Sequence, residues 1–430
     1  MYKMRDSGVE WLGEIPEHWE IKKLKCQVEK LERGTSPDYT DEQITKVVNQ
    51  ATFSKGFFDK SNIRFSTKDS SVSQGLLKKG DVLLASTGGG ILGKTYFFEE
   101  NDTYVADGHV TIVRTISTLF SKYLYYYFLI NYDTFNALMS KGSTNQIELQ
   151  RDSLGKMPIP LPPSEEQEKI SAYLDKKCGQ IDKIIELKNQ QINLLAEYKK
   201  TLISETVTKG LDKNVKLKDS GVEWVGDIPE HWQVKKAKYI FKQRSTKGNN
   251  IELQLLSPTQ KFGVIPQELY EQLTKNNAVK VSEETDLTTF KTIHKGDYCI
   301  SLRSFQGGFE YSFYEGVVSP AYTVFYSDLN INDIYFKYLF KEPSFINKIN
   351  SLTSSFRDGK NISFSDFRDT FIPLPPTEEQ AEISAYLDDK CKTIDKITDL
   401  KKQQINLLQE YRKSLIYEVV TGKKEIFQEG

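Results

Sequence analysis

The 430 residues carry 58 Lys and Arg against 59 Asp and Glu, a formal net charge of −1, with 38% hydrophobic and 12% aromatic residues. That composition excludes a disordered chain, and the even charge excludes a nonspecific DNA coat, so any nucleic-acid contact must rest on local charge. The length predicts about two or three domains, each able to bury its own core.

No secretory apolar region opens the chain, and its longest apolar run, 123–130, falls short of the roughly 20 residues a membrane span needs, which predicts a cytoplasmic protein. After DSGVEWLGEIPEHW (6–19), runs at 81–85, 95–98 and 110–114 alternate with Gly, Asn and Asp turns and predict strands. One helix is predicted to follow, with Ser121 as its N-cap. Pro162-Pro163-Ser164 then precedes Glu-Glu-Gln, and Ser164 with Gln167 has capping-box spacing. The acidic pair suits the positive end of a helix. Ile170, Leu174, Cys178, Ile181, Ile185, Ile192, Leu195 and Leu202 follow four-and-three spacing, widened by Ile184, Leu187, Leu194 and Tyr198. This stripe predicts one helix over 164–209, roughly 68 Å long, packed against another helix.

The second half repeats the first. DSGVEWVGDIPEHW (219–232) and IPLPPTEEQAEISAYLDDKC (372–391) match 6–19 and 159–178 at one constant offset of 213 residues. Between them, 24–158 and 237–371 match only at scattered points: Lys79-Gly80-Asp81 with Lys295-Gly296-Asp297, 105–114 with 317–326, and 121–128 with 333–340. Asp333 is the matching predicted N-cap, and Thr377 with Gln380 the matching capping box. A repeated frame with diverged surfaces is expected, each variable segment folding as an α+β domain. His18 and His231 recur in the repeated phrases and, like His109 and His294, are expected to be structural. Trp19 and Trp232 are expected to pin the opening segments to a core. Cys26, Cys178, Cys299 and Cys391 form no metal or disulfide spacing and are expected to be reduced and mostly buried.

These residues resemble the specificity subunits of Type I restriction-modification systems over nearly the whole chain: SGVEWLGEIPEHW, PIPLPPSEEQ at the mouth of the long helix, and both present twice. The resemblance implies a pseudo-twofold α+β architecture, two target-recognition domains separated by two long antiparallel helices. It divides the chain into 1–158 (opening segment and first recognition domain), 159–210 (first spacer helix), 211–371 (repeated opening segment and second recognition domain) and 372–430 (second helix and short tail). It implies double-stranded DNA as ligand, two methyltransferase subunits that bind S-adenosylmethionine, and restriction/translocase subunits that use ATP, with no cofactor or catalytic centre in this chain. Differing domains imply a bipartite, asymmetric target, the helices acting as a ruler. Antiparallel helices would carry Cys178 and Cys391 to opposite ends, against a disulfide.

Gly88-Gly89-Gly90-Ile91-Leu92-Gly93-Lys94-Thr95 matches a phosphate loop literally, yet Tyr96-Phe97-Phe98 reads as strand where such a loop requires a helix. The loop reads either as a plain hairpin or as a DNA contact through Ser86, Thr87, Gly88, Gly89, Gly90 and Lys94, and the resemblance favours contact. Its counterpart offers Arg303, Ser304 and Gln306, suited to major-groove readout. Further polar loops supply Lys141, Ser143, Thr144, Asn145 and Gln146 in one copy and Arg357, Lys360 and Asn361 in the other, with Arg33 and Arg244 at the domain openings. The rival readings are a self-contained nuclease or methyltransferase, for which the duplicated parts leave no room, a methyltransferase-only or Type II-like specificity subunit, and a coiled-coil scaffold, which leaves the paired domains unexplained.

Overall fold

A computed structural model of the chain describes residues 2–42, 44–67, 74–142, 147–248, 253–275, 287–300, 308–352 and 362–426. It comprises two compact units, Met1–Lys188 with Lys402–Gly430, and Asn189–Lys401. Both long helices, Ser164–Lys209 and Thr377–Val420, contribute to both units.

In the first unit an antiparallel sheet runs in the order Val28–Arg33, Val110–Thr115, Val82–Ala85, Thr95–Phe97. A second four-stranded sheet, of Tyr104–Ala106, Thr45–Val48, Arg64–Ser66 and Tyr39–Thr40, completes the domain. Val82–Ala85 is buried throughout, as expected of a central strand that is apolar on both faces. Among the described residues three helices follow rather than one, Ser121–Ile130, Tyr132–Leu138 and the short Arg151–Gly155. The second unit repeats the first sheet as Lys242–Arg244, Thr323–Tyr326, Tyr298–Ile300, Phe309–Tyr311, around an aromatic core in which Phe241 meets Tyr298, Phe325 and Phe336 at 5.6, 5.5 and 5.1 Å. Ser121 and Asp333 are the first helical residues and not the caps. Phe120 precedes one helix with no side-chain cap, and Asn332 caps the other through Ile334 N and Tyr335 N.

The repeated segments make the same joints twice. Glu20–Lys23 pairs antiparallel with Pro158–Leu161, and Gln233–Lys236 with Phe371–Leu374. Trp19 and Trp232 are buried, and their Nε1 groups donate to Glu166 and Glu379 at 3.2 and 2.8 Å. The long helices start at Ser164 and Thr377 as expected, but these are the first helical residues and not the caps, with the Pro163 and Pro376 carbonyls accepting from Gln167 N and Gln380 N. Gln167 Oε1 instead accepts from Phe120 N and its Nε2 donates to Pro162 O, both at 2.8 Å, while Gln380 does the same with Asn332 N and Pro375 O. Each glutamine therefore ties the start of a long helix to the start of a domain helix.

Within each unit the helix segments run antiparallel. Asp182 pairs with Arg412 and Lys188 with Gln404 in the first, and Gln191 pairs with Lys401 and Lys199 with Asp395 in the second. Ile170, Leu174, Cys178 and Ile181 are buried with Leu415, Ile416 and Val419, but the predicted widening of the stripe is wrong. Ile184, Leu187, Leu194 and Tyr198 are 43–63% exposed, as are their copies Leu407 and Tyr411, with Ile397 and Leu400 at 38% and 48%. They lie roughly 110° around the helix from the buried stripe, beyond the reach of a single partner helix. All four cysteines are free, and all but Cys26 are buried.

Candidate nucleic-acid interface

The glycine loop is a closed hairpin. Gly88, Gly90 and Gly93 take φ of 92°, 83° and 82°, a backbone region that costs residues with a Cβ, and a Cβ on Gly93 would lie 3.0 Å from the Phe135 ring. The amides of Gly88, Leu92, Gly93 and Lys94 bond to carbonyls of Ile147, Gly88, Ala85 and Ile91, so they are not gathered around a phosphate. Thr95–Phe97 is a strand, which removes the helix end that a nucleotide loop requires.

The first unit brings three distant stretches to this hairpin. Ser86 O accepts from Leu149 N at 2.8 Å and Gly88 N donates to Ile147 O at 3.0 Å, which zips the loop to the hairpin strands Ser140–Lys141 and Glu148–Leu149. Arg33 Nη2 reaches Glu148 Oε2 at 3.3 Å and the Leu149 carbonyl at 3.4 Å, with its side chain 35% exposed. Gln50 Nε2 donates to Thr87 Oγ1 at 3.1 Å, and Thr87 Oγ1 lies 2.9 Å from His109 Nδ1. Beside them Asp107 accepts from Tyr39 OH at 3.3 Å, and the exposed Arg64 guanidinium stacks on the Tyr39 ring at 3.8 Å. Burial pushes the Asp107 carboxyl and the Tyr39 phenol up from their ordinary values. The result is an edge of exposed Arg64 and Lys141, half-buried Arg33 and Gln50 and an exposed imidazole, capable of meeting phosphates and base edges.

Thr87, Gly88, Arg33 and Lys141 stand on this edge, with Gly89 and Gly90 exposed at the hairpin tip. Lys94 is exposed, its Nζ 4.7 Å from the centre of the Tyr132 ring. Two expected contacts are corrected. Ser86 is fully buried, its hydroxyl 2.5 Å from Thr111 Oγ1 and bonded to the Leu84 carbonyl, because it continues a strand covered on both faces and alternation sets it on the side of Leu84 and Thr111. Arg244 commits its guanidinium to the buried Asp297 at 2.7 and 3.0 Å and lies over the Tyr326 ring. Ser143, Thr144, Asn145, Gln146, Arg303, Ser304, Gln306, Arg357, Lys360 and Asn361 lie outside the described residues. Gln50, Tyr39, Arg64 and His109 were missed, since only the fold joins them to Thr87 and Asp107.

A family profile described as Type I restriction modification DNA specificity domain matches residues 16–197 and again 229–410, the spacing of the internal repeat. The chain belongs to this family. Specificity subunits of type I systems are non-catalytic and recognise DNA. A putative type I restriction enzyme MjaX specificity subunit of Methanocaldococcus jannaschii is 25% identical over 440 residues, covering 98% of this chain and 97% of the relative. The MjaVIII specificity subunit of the same organism is 26% identical over 282 residues, 62% of this chain and 61% of that one. Among solved structures, a chain described under complex assembly and conformational transition of the type I R-M system superposes with a TM-score of 0.69 at 15% identity, covering 95% of this specificity subunit and 99% of that chain. The HsdS subunit from Thermoanaerobacter tengcongensis superposes at 0.53, also at 15% identity, with coverage of 95% and 98%. Both share the fold.

Proposed function

We propose that each unit reads one half of a bipartite, asymmetric duplex site, and that the chain holds two methyltransferase subunits, and restriction/translocase subunits with them, on that site. One observation carries this reading: the same sheet order and the same tryptophan–glutamate joint occur twice, while the segments at the strand tips differ. A repeated frame with different tips recognises two different sequences. On the first unit the reading edge is formed by Arg33, Thr87, Gly88, Gly89, Gly90, Lys94 and Lys141, and Ser143, Thr144, Asn145 and Gln146, which follow Lys141 in the sequence, are assigned to the same role. On the second, Arg303, Ser304, Gln306, Arg357, Lys360 and Asn361 take that part. The exposed apolar residues Ile184, Leu187, Leu194 and Tyr198 recur at 397, 400, 407 and 411, so two copies of one partner have equivalent surfaces to dock on. Among the described residues no helix is long and apolar enough to cross a membrane, and the proposed site of action is the cytoplasm, with the DNA.

Methylome mapping in a host without other methylation tests the reading. Replacing 24–157 with the corresponding domain of a relative is expected to change one half-site and leave the other intact. A change in both, or in neither, overturns it.

A further inference from the structure

We propose that His109 is a base-reading residue of the first unit, presenting its Nε2–H as a donor to an acceptor on a base edge. The inference rests on the reading that this unit binds DNA and adds a specific contact to it. Gln50 Nε2 donates to Thr87 Oγ1, so the Thr87 hydroxyl hydrogen is free to donate to His109 Nδ1, 2.9 Å away. A neutral imidazole that accepts at Nδ1 carries its proton on Nε2. His109 is exposed, and Nε2 has no partner among the described residues. The backbone beneath the ring is held on both sides: His109 N donates to Asp107 Oδ1 at 2.9 Å and His109 O accepts from Ser86 N at 2.9 Å. A donor of fixed identity on a fixed mount is what base discrimination requires.

The frame itself does not need this histidine. Thr111 pairs with Leu84 as Thr323 pairs with Ile300, so the register places Ala321 where the first unit has His109. His294, the chain's other non-repeated histidine, lies in the second unit and instead meets the Glu315 carboxylate through Nδ1 at 2.7 Å. His109 thus belongs to what differs between the two units, and it is wired to the glycine hairpin through Thr87. Purine N7, guanine O6 and thymine O4 accept such a donor, while the cytosine amino group does not.

The full chain, assembled with its methyltransferase partner, supplies the test. His109→Ala installs the residue of the second unit and is expected to admit cytosine at one position of one half-site, with about a tenfold loss of discrimination there. The salt dependence of binding should stay unchanged. His109→Gln, which keeps a donor, should restore part of the preference. Nitrogen-15 spectra of the free protein should show the Nε2–H tautomer, mixed in Thr87→Val. An unaltered recognition sequence in His109→Ala overturns the proposal, as does uniform weakening with a salt slope reduced by about one, the mark of a phosphate contact. An Nδ1–H tautomer in the unsubstituted chain overturns it too. The 24–157 replacement, run in parallel, separates the two levels: if it changes one half-site while His109→Ala changes nothing, only the histidine assignment falls.

Discussion

Arg244 Nε lies 2.7 Å from Asp297 Oδ2, and the equivalent Asp81 of the first unit receives Arg114 Nε at the same 2.7 Å. The aspartates correspond, but the arginines come from different strands. Arg114 pairs with Lys30 and Tyr326 with Lys242, so Tyr326 stands in the place of Arg114, and Arg244 in that of Glu32. The frame requires a cation on this buried carboxylate and accepts it from either strand. Asp297→Ala is expected to cost about 3 kcal/mol by stranding the half-buried guanidinium, read from urea unfolding. In the first unit, Arg114→Tyr alone should destabilise comparably, and adding Glu32→Arg should recover most of the loss. Failure of the double variant to recover would mean that the two arrangements are not interchangeable.

Glu166 accepts from Tyr2 OH at 2.6 Å, His18 Nε2 at 3.0 Å and Trp19 Nε1 at 3.2 Å. Removing the carboxylate leaves a buried indole N–H without a partner, so Glu166→Ala should lower stability by about 2 kcal/mol, and Glu379→Ala by a similar amount. Tryptophan fluorescence during unfolding reports the change. The methylated sequence should be the same as that of the unsubstituted chain.

Burial pushes the Glu310 carboxyl from 4.5 up to about 7, outweighing the pull of Lys341 Nζ at 2.7 Å. A carboxyl raised by folding holds its proton in the folded chain after the unfolded chain has released it. Its contribution is therefore greatest below about pH 4.5 and declines as pH rises to about 7. Relative to Glu310→Gln, the unsubstituted chain should lose on the order of 2–3 kcal/mol between pH 5 and pH 8. A pH-independent difference between the two would show that Glu310 is ionised throughout.

Lys94→Ala should weaken DNA binding and lower its salt slope by about one, if the ammonium over Tyr132 meets a phosphate. Nucleotide affinity should be undetectable in both proteins, since the amides of Gly88, Leu92, Gly93 and Lys94 are already bonded and a strand follows. Saturable ATP binding lost on substitution would restore the phosphate-loop reading.

Leu194 and Leu407, each 63% exposed, are the strongest candidates for partner contact. Leu194→Glu and Leu407→Glu should leave folding within about 0.5 kcal/mol, because neither side chain is in a core. Each should reduce assembly with methyltransferase subunits in sedimentation or native mass measurements. Normal assembly of the double variant would place the docking surface elsewhere.

Order along the chain was enough to determine the duplication, the bounds of the first long helix at 164 and 209, three of the four strands of the first unit's main sheet and the tryptophan anchors. Each is written in neighbouring residues or in a repeated phrase, as local propensity and hydrophobic period are. Only the tertiary structure decided which flank of the long helices stays wet, since Ile184 and Leu187 border the stripe of the buried Ile181, and how far that stripe extends around the helix depends on how many helices pack against it. It also turned Ser86 inward, committed Arg244 to Asp297, and gave Gln167 a partner on another helix. The candidate reading edge was half legible: its glycine hairpin announces itself, but Thr87 meets His109, Gln50 and Glu148 across intervals of 22, 37 and 61 residues. Such meetings depend on how strands pair, and pairing is a property of the folded chain that no short window of sequence contains.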